Sequence, residues 1–457
     1  MNDLVKIEQP TSDEPATVLD EIAGRLVTKT GAGGKVTVLA NMANLETVLR
    51  QHPETRDCVA RNDFSGDDYL MVPIPGTEEA EKPAQFEPRP LEDHDYLAVV
   101  LWLQRSFPWF ANVAKATVCD AVDAVCAAKH FDPLKDYAER CAAGWDGEYR
   151  TQDLFAKYFI ATEQSVYTDE LGEIAMMALV LRALHPGAHQ RIVPVLQGPQ
   201  GIGKSSGLAA LCPRPEWFSD SLPPLRTKDA QDHVRRHFVI ELGEMDVARK
   251  SEVEELKAFL TRTHETFRAA YGRKERTHRR RCMFWGTTND QQYLRDTTGN
   301  DRFFPVAIES VDVEAIKHDR DQLIGEAVNL LRECRREGRN WWELSDEARS
   351  KLELSREQAE VADPWMEIIA AAIDGLEEVC AGQLMDEYIR VKKPDGKVQV
   401  TARKGIGKPI QSRTPHDGRR VSAILRKLGW VKKGVMPHSS PWPRTTRYVP
   451  GDRAHGQ

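Results

Sequence analysis

One glycine-rich segment, residues 198–205, has the residue types that bind phosphate. It reads Gly-Pro-Gln-Gly-Ile-Gly-Lys-Ser and fits the pattern G-x-x-x-x-G-K-[ST]. Its glycines let the backbone wrap around phosphate oxygens, so that N–H groups and the following helix start point at the anion. Lys204 would contact the β and γ phosphates, and the Ser205 hydroxyl would hold Mg²⁺. The predicted contacts to ATP are Gly198, Gly201, Gly203, Lys204, Ser205 and Ser206.

The elements around this loop fit a phosphate site. An apolar strand is expected over 192–196, after the helix-breaking pair Pro186-Gly187, and a helix over 205–211. From there to about residue 305, short apolar strands alternate with helices, which predicts an α/β domain with a largely parallel sheet.

An acidic strand follows about forty residues after the phosphate loop. Its sequence, His-Phe-Val-Ile-Glu-Leu-Gly-Glu over 237–244, ends in two carboxylates, which would lie at the carboxyl edge of the sheet beside the phosphates. One acid would hold Mg²⁺ and the other would orient and deprotonate the attacking water. We assign Glu241 to the metal and Glu244 to the base, and the reverse assignment stays open.

A polar strand end follows further along the chain. Ser251 and Glu254 form a capping-box pattern that predicts a helix over 252–260. The next strand, 282–287, ends in Thr288-Asn289, and Asn289 could hydrogen-bond the γ phosphate or the attacking water. Outside this context the same residues would indicate a turn.

A dense positive run over 268–281 separates that helix from that strand. Such a run can neutralise backbone phosphates, and its tyrosine can stack on a base. The alternatives are a solvated charged face, or arginines directed at a neighbouring subunit's nucleotide. The predicted nucleic-acid contacts are Arg268, Tyr271, Arg273, Lys274, Arg276 and Arg279.

Composition limits the class of protein. The 457 residues suffice for about three domains. The net charge of -7 gives no overall sign of nucleic-acid binding, so any such site must be a local basic patch. Eight cysteines lack zinc spacing and are expected to be buried or free thiols in a reducing cytoplasm. No apolar run approaches the ~18 residues of a membrane span, so we expect a cytoplasmic protein without a membrane partner.

Five segments are expected. Residues 1–90 form a small region with a strand at 35–39, a hairpin at 69–74 and an acidic, Pro-rich linker at 75–90. A helical domain over 91–165 precedes the ATPase domain over 166–340 and a charged helical connector over 341–363. In 364–457, helices at 365–371, 383–389 and 419–428 followed by a two-stranded ribbon predict a winged-helix-like domain. Its basic residues suit a DNA duplex, and a protein-docking role remains equally open.

Taken together, these motifs resemble the virulence-associated protein E family, which belongs with the AAA+-like superfamily 3 helicases of phages and mobile elements. The resemblance covers about residues 95–310. It rests on the phosphate loop, Glu-Leu-Gly-Glu, Lys257-Ala258-Phe259-Leu260, Gly286-Thr287-Thr288-Asn289 and the element Gly-Asn-x-Arg-Phe-Phe-Pro at 299–305. A second Gly-Lys pair, at 407–408, lacks the first glycine and the hydroxyl and is expected to be a loop.

The resemblance implies a P-loop, AAA+-like parallel-sheet core that assembles into a homo-oligomeric ring, expected to be a hexamer, and moves along single-stranded or forked DNA. Arg302 would be the arginine finger supplied to the adjacent subunit, with Arg295 the second candidate. The basic run would be the channel hairpin that grips DNA, and a replication initiator or primase would be a further partner. Two departures, Asp301 and the Glu-x-x-Glu spacing, leave the roles of the two acids open.

Two other functions compete with a DNA-translocating helicase. A regulatory or defence switch would form an ATP-bound ring without unwinding DNA. A small-molecule kinase would transfer phosphate as a monomer, and the arginine element argues against it.

Overall fold

The computed structural model describes residues 18–243, 250–267, 276–290, 293, 300–359, 363–392, 398–436, 442 and 444–451. These residues fall into two compact units that divide mainly between Leu352 and Glu353, with the segment 290–302 grouped with the second unit.

The described helices range from four residues in α3 to 25 in α11. Their bounds are α1 Val18–Arg25, α2 Met42–Gln51, α3 Glu78–Glu81, α4 Asp93–Ser106, α5 Lys115–Ala128, α6 Pro133–Ala143, α7 Val166–Leu184, α8 Lys204–Ala210, α9 Lys228–Arg236, α10 Lys250–Leu260, α11 Val313–Glu337, α12 Asp346–Ala359, α13 Pro364–Ile373, α14 Ala381–Met385 and α15 Pro415–Lys427.

The strands form six sheets. Their bounds are β1 Thr28–Thr30, β2 Val36–Val38, β3 Val59–Asn62, β4 Asp68–Leu70, β5 Arg89–Pro90, β6 His130–Phe131, β7 Phe159–Ala161, β8 Val193–Gln197, β9 Phe218–Ser219, β10 Val239–Leu242, β11 His264–Phe267, β12 Arg276–Arg279, β13 Met283–Thr288, β14 Phe303–Val311, β15 Tyr388–Lys392, β16 Val398–Lys404, β17 Trp430–Val435 and β18 Thr446–Pro450.

The N-terminal part of the first unit packs as one body across position 90, where the sequence suggested a boundary. Its four-stranded sheet has the order β5-β4-β3-β6. Buried Leu45 and Leu70 share a core with Leu103 and Val122 from beyond that position. A core of this size needs helices from both segments, because neither segment alone buries its apolar face.

The segment 75–90 is not a plain linker. It contains α3 and ends in β5, which pairs antiparallel with β4. Arg89 fixes it through ion pairs to Asp95 at 2.7 Å and Glu79 at 3.2 Å. The hairpin expected at 69–74 also lies elsewhere, since β4 pairs with β3 and the turn precedes residue 69. The acidic, Pro-rich composition of 75–90 gave no sign that β5 pairs with β4, because this pairing depends on a strand earlier in the chain.

The central sheet confirms the predicted mixed α/β architecture with parallel strands. Its order is β7-β14-β8-β13-β10-β9, in which only β7 pairs antiparallel. Every residue of β10 and β13 is buried, as expected for strands covered on both faces. Helices α6, α7 and α11 share the hydrophobic core with these strands.

The second unit has its own core. Ile369, Leu425, Trp430 and Tyr448 bring together α13, α15 and the antiparallel ribbon β17–β18. The helix expected over 383–389 is wrong in its second half, because α14 ends at Met385 and β15 then pairs with β16. The pairing partner lies about ten residues later, so local helical periodicity could not reveal it.

The described helices include none with the length and apolar composition that crossing a membrane requires. All eight cysteines are free thiols, and seven of them are buried.

Candidate functional site

The glycine-rich loop connects β8 to α8, as the sequence predicted. Gly201 and Gly203 adopt the left-handed backbone, with φ of 85° and 93°, which other residues adopt only with strain. A Cβ on Gly198 would lie 2.5 Å from the carbonyl oxygen of Ile308 in β14. Glycine is therefore required both to turn the loop and to seat it against the neighbouring strand.

Lys204 begins α8 and is buried, with 8% of its surface exposed. Its Nζ donates hydrogen bonds to the carbonyl oxygens of Gly198 at 2.7 Å and Pro199 at 2.9 Å, and to Oδ1 of Asn289 at 2.9 Å. Burial lowers the pKa of Lys204, and the charge of Glu241 opposes that shift. The ammonium group thus lies inside the loop, where a phosphate would need a positive charge.

A second cluster surrounds the carboxylate of Glu241. Ser205 Oγ donates to Glu241 Oε1 at 2.9 Å, and Thr287 Oγ1 donates to the same oxygen at 2.5 Å. The other oxygen, Oε2, is buried and has no hydrogen-bond partner among the residues that the structure describes. A buried carboxylate oxygen without a donor is costly unless something else binds it.

The donor set fits Mg²⁺. Hydroxyl and carboxylate oxygens are the ligands that Mg²⁺ prefers, and the orphaned Oε2 of Glu241 would accept the ion or its water. Within the described residues, no cluster of three or more His, Cys, Asp or Glu side chains could hold a metal by itself. Ser205 and Glu241 would therefore share the ion with phosphates and water.

Strand order explains how these residues meet. The strand β13 lies between β8 and β10 and is parallel to both. The carboxyl ends of the three strands therefore converge at one edge of the sheet. That edge brings together the phosphate loop, Glu241 and Asn289, as the sequence predicted.

Thr287 is a site residue that the sequence reasoning missed. It is buried near the end of β13, two residues before Asn289 in the sequence. A hydroxyl in an otherwise apolar strand was the signal that could have identified it. Ser206, a predicted ATP contact, is exposed on α8 beside Ser205.

The other predicted catalytic residues are Glu244, Arg295 and Arg302. Glu244 and Arg295 lie outside the described residues. Arg302 ends a short 3-10 turn, Asn300–Arg302, and belongs to the second compact unit. Their roles remain predictions.

The basic run contains a two-stranded ribbon. β11 and β12 pair antiparallel, with His264 opposite Arg279 and Phe267 opposite Arg276. Arg279 is exposed at the base of this ribbon, and Arg276 lies at the start of β12. The predicted contacts outside the described residues are Arg268, Tyr271, Arg273 and Lys274.

Two arginines at the end of the run are not surface residues. Arg280 is buried and donates from Nε to Glu265 Oε1 at 2.7 Å, with its guanidinium 4.2 Å from the ring centre of Phe259. Arg281 is also buried and pairs with Asp132 at 2.7 Å. Their charge is neutralised inside the fold, so the run available to nucleic acid ends at Arg279.

These features define a mixed α/β protein in which a glycine-rich loop, a buried lysine and a buried carboxylate meet at one edge of a parallel sheet. Residues 139–361 match the model of the virulence-associated protein E-like domain. This match, which covers just under half of the chain, confirms the resemblance seen in its motifs. No curated protein matches the chain.

Solved structures give distant likenesses. One apo structure of the NrS-1 C-terminal region is 12% identical, with a TM-score of 0.32 over 56% of this chain and 61% of that chain. A second apo structure of the NrS-1 C-terminal region has 14% identity and a TM-score of 0.29. The similarity covers 48% of this chain and 56% of that one. An inhibitor-bound JCV helicase has 12% identity and a TM-score of 0.28, covering 61% of this chain and 82% of that one.

Proposed function

We propose that this protein is a ring-forming, ATP-dependent DNA translocase of the superfamily 3 helicase kind, acting in phage or mobile-element replication. The observation that carries the proposal is the convergence of Lys204, Ser205, Glu241 and Asn289 at the carboxyl edge of three parallel strands. The family of its 139–361 domain supports the same reading.

Each residue of the cluster has a role in binding a nucleotide. Lys204 would exchange its contacts to loop carbonyls for phosphate oxygens, and the loop N–H groups would complete the anion site. Asn289, already hydrogen-bonded to that lysine, would orient the γ phosphate or the attacking water. Bound Mg²⁺ would neutralise charge on the phosphates, with Ser205 and Glu241 holding it.

Arg302 is proposed to act on the nucleotide of the adjacent subunit. It directly precedes Phe303, which is in register with Val193 at the start of β8. From Val193, the strand β8 runs four residues, roughly 13 Å, to Gln197, where the phosphate loop begins. An arginine finger placed there would reach a neighbour's phosphates in a ring, which links hydrolysis to assembly.

The ribbon β11–β12 is proposed to contact single-stranded DNA in the ring channel. Its exposed Arg279 and the basic residues that follow β11 in the sequence supply positive charge, and Tyr271 would stack on a base. Buried Arg280 anchors the base of the ribbon through its hydrogen bond to Glu265.

Hydrolysis and unwinding together test this function. We expect ATP hydrolysis stimulated by single-stranded DNA and displacement of a strand from a fork, both lost in Lys204→Ala. Lys317→Ala, which removes an exposed lysine of α11, serves as the matched control and should retain both activities. Hydrolysis that is indifferent to nucleic acid would contradict the proposal, and hydrolysis without displacement would favour the switch.

A further inference from the structure

The segment 388–451 is the most positively charged part of the chain. It contains sixteen Lys and Arg residues against two Asp residues and no Glu, in a protein whose net charge is -7. A single-sign cluster in an acidic protein is the electrostatic footprint of a polyanion site. The ATPase chemistry does not use this segment.

Several of these cations hold the fold together. Arg420 donates two hydrogen bonds of 2.7 Å to Asp363 and lies over the Trp365 ring at 4.0 Å. Arg413 pairs with Asp386 at 2.7 Å, and Lys408 with Asp417 at 2.7 Å. Arg420 is therefore a structural residue, although it is one of the basic residues of 364–457 that suit a DNA duplex.

Other cations face solvent on α15 and the strand that follows. Arg419 and Arg426 are exposed and lie seven residues apart, which places them on one face two turns apart. Val421 and Leu425 are fully buried on the opposite face. Ser422 and Ala423 lie between the two arginines, so small side chains let this face approach a surface closely.

The ribbon β17–β18 adds a third exposed cation. Gly429 turns the chain with φ of 79°, and the buried Trp430 anchors the start of β17. Lys432 is exposed and pairs in register with Tyr448, whose backbone also bridges to Val379. Three helices with such a ribbon support the winged-helix-like arrangement predicted for 364–457.

We propose that the exposed face of α15, together with the exposed Lys432 of the following strand β17, binds the backbone of B-form duplex DNA as a second nucleic-acid site. A thirteen-residue helix is about 20 Å long and fits a major groove about 12 Å wide. The deep, narrow major groove of duplex RNA would not admit it. A protein partner is disfavoured because interface cores are depleted of charge.

Nucleotide-free binding to labelled duplex DNA tests this site in the full-length protein. The duplex would span about three helical turns, and the salt concentration would run from about 50 to 200 mM. For the triple variant Arg419→Ala/Arg426→Ala/Lys432→Ala we expect at least about tenfold weaker binding. The slope of the logarithm of the binding constant against the logarithm of the salt concentration should be shallower by about three. Lys29→Ala/Lys35→Ala/Lys115→Ala removes the same charge from exposed positions elsewhere and should bind like wild type.

The outcomes are decisive in either direction. A triple variant that binds duplex DNA with unchanged affinity and slope would overturn the proposal, as would wild-type binding of duplex RNA as tight as that of DNA. If the triple variant fails to fold in a urea unfolding measurement, Arg419→Ala alone should reduce the slope by about one. Lys204→Ala should retain duplex binding, which separates this result from the fate of the ATPase proposal.

Discussion

The Lys204 ammonium group lies 2.9 Å from the Oδ1 atom of Asn289, although 85 residues separate the two in the chain. The contact joins the phosphate loop after β8 to the end of β13, the strand beside it.

For Asn289→Ala we expect kcat for ATP hydrolysis to fall by about 10²-fold with little change in KM, because a positioned polar group acts mainly in the transition state. Steady-state kinetics measures this. Asn340→Ala removes an exposed asparagine that contacts only Glu343 and is the control. An unchanged kcat would show that Asn289 only holds Lys204.

For Glu241→Gln we expect the Mg²⁺ concentration for half-maximal hydrolysis to rise about 10- to 100-fold. The reason is that Oε2, which has no hydrogen-bond partner, becomes an uncharged group at the predicted ion. A Mg²⁺ titration at saturating ATP measures the shift. Glu216→Gln, at an exposed position, should not alter it. An unaltered Mg²⁺ requirement in Glu241→Gln would exclude this carboxylate as a metal ligand.

The two neighbouring arginines Arg279 and Arg280 should behave oppositely. Arg280→Ala removes the nearer cation of the buried Glu265 carboxylate and leaves Arg262 at 3.5 Å, so we expect a loss of about 3–5 kcal/mol in the free energy of unfolding. Arg279→Ala should change stability by less than about 0.5 kcal/mol and weaken single-stranded DNA binding. Urea unfolding and fluorescence anisotropy separate the two effects. Equal stability of both variants would contradict the buried placement of Arg280.

Two helical glycines give a matched pair. A Cβ on Gly325 of α11 would lie 2.4 Å from the carbonyl oxygen of Cys141 in α6, so Gly325→Ala should destabilise by about 1–3 kcal/mol. Gly418 of α15 has open space around it, and Gly418→Ala should stabilise by about 0.5–1 kcal/mol. Thermal or urea unfolding gives both values. A neutral Gly325→Ala would mean that the two helices can separate without cost.

The sequence alone located the glycine-rich loop, the acidic strand and the polar end of the strand that is now β13. Each is a local pattern, since a glycine spacing or a run of apolar residues ending in a polar one depends on neighbours in the chain. For the same reason the strand β8 and the helices α8 and α10 lie within a few residues of their predicted positions.

Tertiary structure decided which residues share a site and which charges face solvent. Thr287 joins Glu241, and Arg280 and Arg420 are neutralised by carboxylates, through contacts between segments that are distant in the chain. The sheet order that places β13 between β8 and β10, and the hairpin β15–β16, likewise depend on long-range strand pairing. A sequence lists the charges and hydroxyl groups, but only packing determines which of them are buried against a partner and which remain available to a ligand.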